Sequence, residues 1–214
     1  MTLWFAYAWA IKRNDIADFA WGIGFPTLAI VLMHINESAS LKALLVTLLI
    51  TIWGVRLALH IFPRLKNKKE DYRYKEMRKK WGKSAFIRSY LQVFLLQGLL
   101  LLLISASTIV VVNGQETFYW YNFIGIAVWA FGFYFESLSD FQLSQFKKDP
   151  KNKGKVMKSG LWKYSRHPNY FGEVTQWWGI WLIVIGVNYW QFAVISPITI
   201  TLLIYFVSGI PMLE

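Results

Sequence analysis

The sequence contains no cysteine and few charged residues. Its 214 residues include no Cys, and Asp, Glu, Lys and Arg together make up 16% of the chain, against about 25% in soluble domains. The absence of Cys excludes a thiol nucleophile, a disulfide scaffold and Cys-ligated zinc or iron–sulfur sites. The chain also has no P-loop, no HExxH motif and no Gly-x-Gly-x-x-Gly segment after a strand. Any nucleotide would therefore bind without a soluble nucleotide-binding fold, and no metal site is expected.

Apolar and aromatic residues take the place of the missing charges. Hydrophobic residues make up 56% of the chain and aromatic residues 18%, and the mean hydropathy is +0.36. These values exclude a disordered chain and a collagen-like fibre. They predict an integral membrane protein, and because hydrocarbon offers no partner for unpaired backbone groups, its spans should be helices. The predicted fold class is an all-α, polytopic helical bundle.

Six apolar stretches are long enough, or nearly long enough, to cross a bilayer. They are residues 16–35, 41–62, 89–112, 118–138, 173–186 and 192–211. The fifth is short for a hydrocarbon core of about 30 Å, so we expect it to be shielded by protein or to begin a turn earlier. The first eleven residues are apolar but too short to span, and they lack the features of a signal peptide. We expect residues 1–214 to form a single transmembrane domain.

The basic residues indicate the orientation of these spans. Residues 63–88 contain eleven Lys or Arg, and residues 140–166 contain eight more. Counting spans places both segments, the Lys12–Arg13 corner and the C-terminus on one side of the membrane. The connections on the other side, at 36–40, 113–117 and 187–191, contain neither Lys nor Arg. The positive-inside rule then predicts that the two basic loops, at 63–88 and 140–168, and the C-terminus are cytoplasmic.

The first basic loop has two interpretations. It can fix the orientation and touch anionic lipid, or it can fold as a surface helix, as the run DYRYKEMRKKW indicates. Nucleic acid is not expected as a partner, because the aromatic residues beside these charges are better explained as interfacial anchors. The sequence leaves the oligomeric state open.

Several charged residues fall within the apolar stretches. Glu136 and Asp140 are four residues apart and so share one helix face; they either face the bundle interior or extend to the interface. Arg56 and His60 share a face of the second span. An unpaired Arg at this depth is costly, and Asp18 is the expected counter-charge, unless Arg56 snorkels to the interface.

The segment that follows the second basic loop carries varied polar chemistry. Residues 166–173, RHPNYFGE, offer a guanidinium, an imidazole, an amide, a phenol and a carboxylate. Pro168 is typical of the first turn of a helix. This set suits a ligand that carries phosphate and ribose better than it suits a lipid.

At this point the sequence resembles a known family. The run GLWKYSRHPNYFGE, preceded by FESLSDFQLSQFKKDPKNKGKV, is similar to the motif of bacterial membrane proteins related to the steroid 5-alpha-reductase C-terminal domain. Many members of that group are catalogued only as a domain of unknown function. The stretches DFAWGIGF, WGVRLALH and EDYRY also resemble motifs of the group. A shorter form of the Arg-His-Pro motif is shared with sterol reductases and isoprenylcysteine methyltransferases.

The resemblance implies an integral membrane enzyme of the bacterial inner membrane that binds NADPH from the cytoplasmic side. It would reduce a carbon–carbon double bond in a lipid-soluble, enone-like substrate. The residues that the resemblance assigns to the NADPH pocket are Glu136, Asp140, Lys147, Tyr164, Arg166, His167, Asn169, Tyr170 and Glu173. Glu136 stands where the steroid reductases have Asn. Lys147 replaces a phosphate-contacting Arg and offers a point charge instead of a bidentate fork.

The catalytic residues are less defined. Reduction of an enone requires a donor that polarises the carbonyl oxygen, and in the steroid enzymes a Tyr and a Glu on earlier helices have this role. The candidates here are Tyr72, Tyr74, His60, Arg56 and Asp18.

The chain departs from its relatives at both ends. Relatives have a complete additional span at the N-terminus and a basic, Tyr-containing tail after the segment matching VSGIPMLE. Phe206 stands where some of them carry Arg. We expect either a truncated chain or a more open cofactor pocket. Two alternatives to the reductase remain: an S-adenosylmethionine-dependent methyltransferase, and a non-catalytic membrane protein that binds lipid or a partner.

Overall fold

The computed structural model describes residues 1–36, 40–67, 69–114 and 117–207, and these residues contain helices but no strand. The α-helices are α1 (Thr2–Ala10), α2 (Ile16–Ile35), α3 (Leu41–Asn67), α4 (Tyr72–Trp81), α5 (Ala85–Arg88), α6 (Leu96–Ile104), α7 (Ala106–Val112), α8 (Asn122–Lys148), α9 (Pro168–Val184), α10 (Trp190–Ala193) and α11 (Ile195–Leu202). Two π-helical segments, Ser89–Leu95 and Leu203–Val207, continue α5 and α11. The predicted all-α fold class is confirmed.

Each predicted span is helical, but the bounds differ. Four helical runs in the described part of the chain are long and apolar enough to cross a membrane: Ile16–Ile35, Leu41–Lys66, Tyr72–Ile104 and Trp190–Val207. The fifth predicted span does begin a turn earlier, at Pro168, because proline fits the first turn of a helix. The predicted continuous helix over 89–112 is interrupted at Ser105. The predicted end of the last span, and parts of the connections at 36–40 and 113–117, lie outside the described residues.

Glycine allows two helix pairs to pack closely. On α8, a Cβ on Gly132 would lie 2.6 Å from the carbonyl oxygen of Gly172 on α9, and a Cβ on Gly125 would lie 2.8 Å from that of Gly179. On α2, a Cβ on Gly22 would lie 3.1 Å from backbone atoms of α3. Small residues permit backbones to approach to this extent in membrane helices. The α8–α9 and α2–α3 pairs therefore fix which polar side chains face each other.

The core lies between these pairs. Phe25 of α2, Trp53 of α3 and Trp177 of α9 form an aromatic triad with ring centroids 5.2–5.3 Å apart. All three side chains are almost completely buried. The triad adjoins the polar cluster described below, because Trp53 also contacts Glu136.

Candidate functional site

A buried ion-pair cluster joins α3 to α8. Arg56 donates one hydrogen bond to Oε1 of Glu136 and another, 2.5 Å long, to Oδ2 of Asp140. The two acceptors lie on one face of α8, as their four-residue spacing predicts. Glu136 is 3% exposed, and the Asp140 side chain is 11% exposed. Of the two positions expected for this acidic pair, the structure shows the one that faces the bundle interior.

The predicted partner of Arg56 was wrong. Arg56 pairs with Glu136 and Asp140, and neither Asp18 nor an interfacial position provides its counter-charge. The physical reason is the packing of α8 against α9, which brings two carboxylates to the α3 face that carries Arg56. A sequence shows which charges need partners, but it does not show which helices are neighbours.

Two residues that sequence reasoning missed complete the shell of Glu136. Trp53 Nε1 donates to Oε2 of Glu136 at 3.1 Å, and Gln176 Nε2 donates to the same oxygen at 2.5 Å. Trp53 lies three residues before Arg56, so both reach Glu136 from the same face of α3. Gln176 is a fully buried amide on α9. The sequence did contain a signal for Gln176, because it is a polar residue inside an apolar span, three residues after Glu173.

The start of α9 supplies the next part of the site. Asn169 Nδ2 donates to Oδ1 of Asp140 at 3.3 Å, while Asn169 Oδ1 is buried without a hydrogen-bond partner among the described residues. Glu173, one turn further along α9, is partly buried and interacts electrostatically with Glu136, Asp140 and Arg56. The structure thus brings together four of the residues assigned to the NADPH pocket.

The remaining residues of the Arg-His-Pro segment lie at the edge of this cluster. The ring of His167 stacks on that of Tyr170, with centroids 5.4 Å apart. Tyr164 is 83% exposed, and Arg166 and Lys147 are also exposed. The cations predicted to contact phosphate therefore point to the surface, while the amide and the carboxylates face inward.

A second polar pair lies between α2 and α4. The Tyr74 hydroxyl donates to Oδ1 of Asp18 at 2.6 Å. Among the predicted catalytic candidates, these two residues are in direct contact. Tyr72 is 73% exposed and lies outside this pair, because residues two apart on a helix point in different directions. The structure therefore does not bring Tyr72 to Asp18, and its catalytic role stays a prediction.

The other catalytic candidate lies on α3 beyond Arg56. His60 is partly buried, and its Nε2 lies 3.0 Å from Nη2 of Arg64. It also interacts electrostatically with Asp140. His60 therefore borders the ion-pair cluster, and its direct side-chain contact is with a surface Arg.

The two polar groups lie at the same end of the bundle. Phe19, which follows Asp18 on α2, contacts Phe62, which lies two residues after His60 on α3, with ring centroids 6.2 Å apart. The Asp18–Tyr74 pair and the Arg56 cluster therefore share one end of the α2–α3 helix pair.

An apolar cavity of about 420 Å³ lies on the other side of the His167–Tyr170 stack. Its lining residues are Phe135, Leu161, Tyr164, Ser165, His167, Pro168, Tyr170, Phe171, Val174, Ile204 and Tyr205. The volume falls within the range of small-molecule sites, and the mixture of aromatic walls with a few polar groups is typical of them.

The corner before α2 holds the start of α4 in place. The backbone N–H of Asn14 donates to Glu70 at 2.8 Å, and the backbone N–H of Asp71 donates to Asp15 at 3.1 Å. Glu70 also forms an ion pair with Arg78. The first basic loop is therefore a folded element, as the surface-helix interpretation predicted.

Asp71 caps the N-terminus of α4 by accepting a hydrogen bond from the backbone N–H of Arg73 at 2.9 Å. Partial burial acts to raise the pKa of Asp71, but hydrogen bonds from the Arg73 side chain and backbone, and the Arg73 charge, outweigh it. The pKa of Asp71 is therefore lower than its usual value. Its ionised form is favoured in the folded protein.

Comparison with known proteins shows which sequences the chain is similar to. The chain is 35% identical to 3-oxo-5-alpha-steroid 4-dehydrogenase 1 of Bos taurus over 34% of this chain and 28% of that protein. It is 25% identical to an uncharacterized protein of Schizosaccharomyces pombe over 84% of this chain and 60% of that protein. The chain thus spans less than two thirds of each relative. No solved structure matches it significantly. The family model described as "Protein of unknown function (DUF1295)" matches residues 4–214, and the chain belongs to this family.

Proposed function

We propose that this protein is a membrane-embedded reductase that uses NADPH to reduce the carbon–carbon double bond of a lipid-soluble enone. The observation that carries the proposal is the convergence of Glu136, Asp140 and Asn169 on the Arg56 ion pairs, with Glu173 one turn further along α9. The similarity to a steroid dehydrogenase over a third of the chain supports the same reaction class.

The residues of the cluster fit the polar half of a dinucleotide. Carboxylates accept hydrogen bonds from ribose hydroxyls, and the buried Asn169 Oδ1, which has no donor among the described residues, is available to an incoming N–H or O–H group. The exposed Lys147 and Arg166 would meet phosphates at the solvent edge. Trp53 and Gln176 hold Glu136 in a fixed orientation, so the acceptors are arranged before a ligand arrives.

NADPH, when bound, supplies the hydride that adds to the β carbon of the enone. The protein must place a proton donor at the carbonyl oxygen, where negative charge develops. Tyr74 is the proposed donor, and Asp18 orients it through their 2.6 Å hydrogen bond. When Asp18 carries a proton of its own, it donates to the phenol oxygen, and the Tyr74 hydroxyl donates its proton to the carbonyl oxygen of the substrate. Protonation of the α carbon, with return of the oxygen-bound proton to Tyr74, completes the reduction.

We also propose a topology for this function. Helices α8 and α9 would be the fourth and fifth of six spans, and residues 1–214 would form one transmembrane domain. The cluster would then open toward the cytoplasm, where NADPH is found, and the basic segments would lie on that side. The substrate would enter from the membrane lipid. The apolar cavity beside the His167–Tyr170 stack is one place where an apolar part of a ligand would fit.

A thermal-shift experiment with the purified full-length protein tests the cofactor. Saturating NADPH should stabilise the protein by about 2.7 kcal/mol at a hundred times the dissociation constant. Asn169→Ala should weaken NADPH binding about tenfold, which corresponds to one hydrogen bond of about 1.4 kcal/mol. Asn113→Ala is the matched control, because Asn113 is an exposed amide whose side chain donates to the carbonyl oxygen of Ile109, one turn earlier in the chain.

Two outcomes would contradict the proposal. The first is an NADPH titration that leaves the melting temperature of the wild-type protein unchanged. The second is stabilisation by S-adenosylmethionine in the absence of any NADPH effect, which would favour the methyltransferase. Stabilisation by anionic lipid with indifference to both cofactors would favour a non-catalytic role.

A further inference from the structure

The helical run from Tyr72 to Ile104 is longer than a membrane crossing requires. It contains 33 residues, whereas about 20 suffice for the hydrocarbon core. Helix α4 ends at Trp81, and Gly82 follows it with φ +50°, a conformation that favours glycine. The helical residues from 85 to 104 alone extend about 30 Å at about 1.5 Å per residue. The ten residues of α4 therefore lie outside the crossing segment, at its end.

The exposed face of α4 and the turn after it is strongly basic. The exposed cations in residues 69–88 are Lys69, Lys75, Lys79, Lys80, Lys83 and Arg88. Glu76 is the one exposed carboxylate in this fully described stretch. The other two acids are engaged internally, since Glu70 binds Arg78 and Asp71 binds Arg73. The internal ion pairs thus leave an outward charge of about +5 by simple counting.

Apolar side chains continue directly from this basic face. Phe86, Ile87 and Leu91 are 46–50% exposed at the start of the crossing segment. A row of cations followed immediately by exposed apolar residues is the arrangement that places basic side chains at the depth of lipid headgroups. A nucleic acid or a soluble acidic protein would gain nothing from the adjacent apolar surface. A shallow depression beside Lys79 and Lys80, also lined by Arg73, Glu76 and Met77, offers space for a phosphate group.

The inner face of α4 contacts the candidate site. Tyr74 reaches Asp18 from this face, and the helix is attached to the Asn14–Asp15 corner through Glu70 and Asp71. No residue of α4 is fully buried. Tyr74, Met77 and Trp81 of α4 pack as partly buried side chains against an apolar cluster that includes Phe5 and Phe94. A ligand on the outer face of the helix would stabilise the same arrangement.

We propose that the outer face of α4 binds the anionic phospholipid headgroups of the adjacent leaflet, and that this binding holds Tyr74 against Asp18. The inference adds a lipid regulator to the proposed reductase. It rests on that function only for its effect on turnover, because the binding itself requires neither cofactor nor substrate.

Hydrogen exchange in nanodiscs tests this proposal without NADPH. The full-length protein is compared in phosphatidylcholine alone and with about 30% phosphatidylglycerol added. We expect the anionic lipid to slow the exchange of α4 amides by about fivefold, the equivalent of one lysine at the surface. Salt at about 0.5 M should remove the difference, because it screens exposed charges.

A pair of matched variants locates the effect. The triple variant Lys75→Gln, Lys79→Gln, Lys80→Gln should lose the lipid-dependent protection of α4. The control is the triple variant Lys151→Gln, Lys153→Gln, Lys155→Gln, which removes the same charge from exposed positions of the second basic segment. This control should retain the lipid-dependent protection of α4.

Three results would overturn the proposal. The first is equal exchange of α4 in both lipids, and the second is equal loss of protection in the two variants. The third is full protection by millimolar inorganic phosphate in phosphatidylcholine, which would indicate a site for a free anion instead of a lipid surface. Because NADPH is absent from every arm, these results are independent of the cofactor experiment.

Discussion

Removal of the Arg56 charge should destabilise the protein strongly. In the variant Arg56→Gln, Glu136 and Asp140 lose their cation while they remain largely inaccessible to water. The side-chain exposure is 18% for Arg56, 4% for Glu136 and 11% for Asp140. Glutamine retains part of the stem and a polar end, but it provides no charge. The packing of α3 changes little, so the variant tests electrostatics rather than cavity formation.

The expected cost follows from the burial of the two carboxylates. Breaking a buried ion pair by removing one partner costs about 3–5 kcal/mol, because the remaining charge is uncompensated. In a chain of this length, each kcal/mol lowers the melting temperature by about 2–4 °C. Arg56→Gln should therefore melt about 6–20 °C below the wild type. Adding Glu136→Gln and Asp140→Asn to it should recover much of the loss, since no buried carboxylate of this pair is then left unpaired.

The assay is thermal unfolding of the wild type, Arg56→Gln and the compensated variant in the same nanodiscs. Arg64→Gln is the control on the same helix, since Arg64 is exposed and its Nη2 lies 3.0 Å from Nε2 of His60, away from the two carboxylates. It should change stability by no more than about 0.5 kcal/mol. Our reasoning would be refuted if Arg56→Gln melted as the wild type does, or if the compensating changes lowered stability further.

Two other predictions concern α4. Tyr74→Phe should retain NADPH binding but reduce the rate of NADPH oxidation with an enone substrate by about a hundredfold or more. The control Tyr72→Phe should match the wild type. Equal rates for both variants would exclude Tyr74 as the donor. Because the pKa of folded Asp71 is lowered, its stabilisation should be present above the unfolded pKa of about 3.9 and disappear as the pH falls through the folded value. The stability difference between wild type and Asp71→Asn should therefore vanish in acid, and a difference that persists there would contradict this cause.

The sequence predicted the helices well because lipid leaves the backbone few alternatives. The helical character of all six apolar stretches follows from the need to pair backbone groups. The early start of α9 followed from Pro168, and the run DYRYKEMRKKW indicated α4. The position of Glu136 and Asp140 on one face of α8 followed from their four-residue spacing alone. These features depend on neighbours within about four residues.

The errors concern residues that are distant in sequence. Arg56 was assigned to Asp18, but the close approach of α8 and α9 at Gly132 and Gly172 presents two other carboxylates. Gln176 was missed because its role becomes visible only when α9 lies against Glu136. Asp18 and Tyr74 were both chosen as candidates, yet their direct contact depends on how the corner at Asn14 holds α4. Helix adjacency, which a single sequence does not contain, decided each of these cases.

We propose that the cluster between α3, α8 and α9 binds NADPH. The decisive experiment is a structure of the full-length protein determined with NADPH, because it shows what occupies the space between Asp140 and Glu173. We predict that ribose or nicotinamide atoms lie within hydrogen-bond distance of Asn169 and Glu173. Density for the dinucleotide elsewhere, with the Arg56 cluster unchanged and closed, would contradict the account.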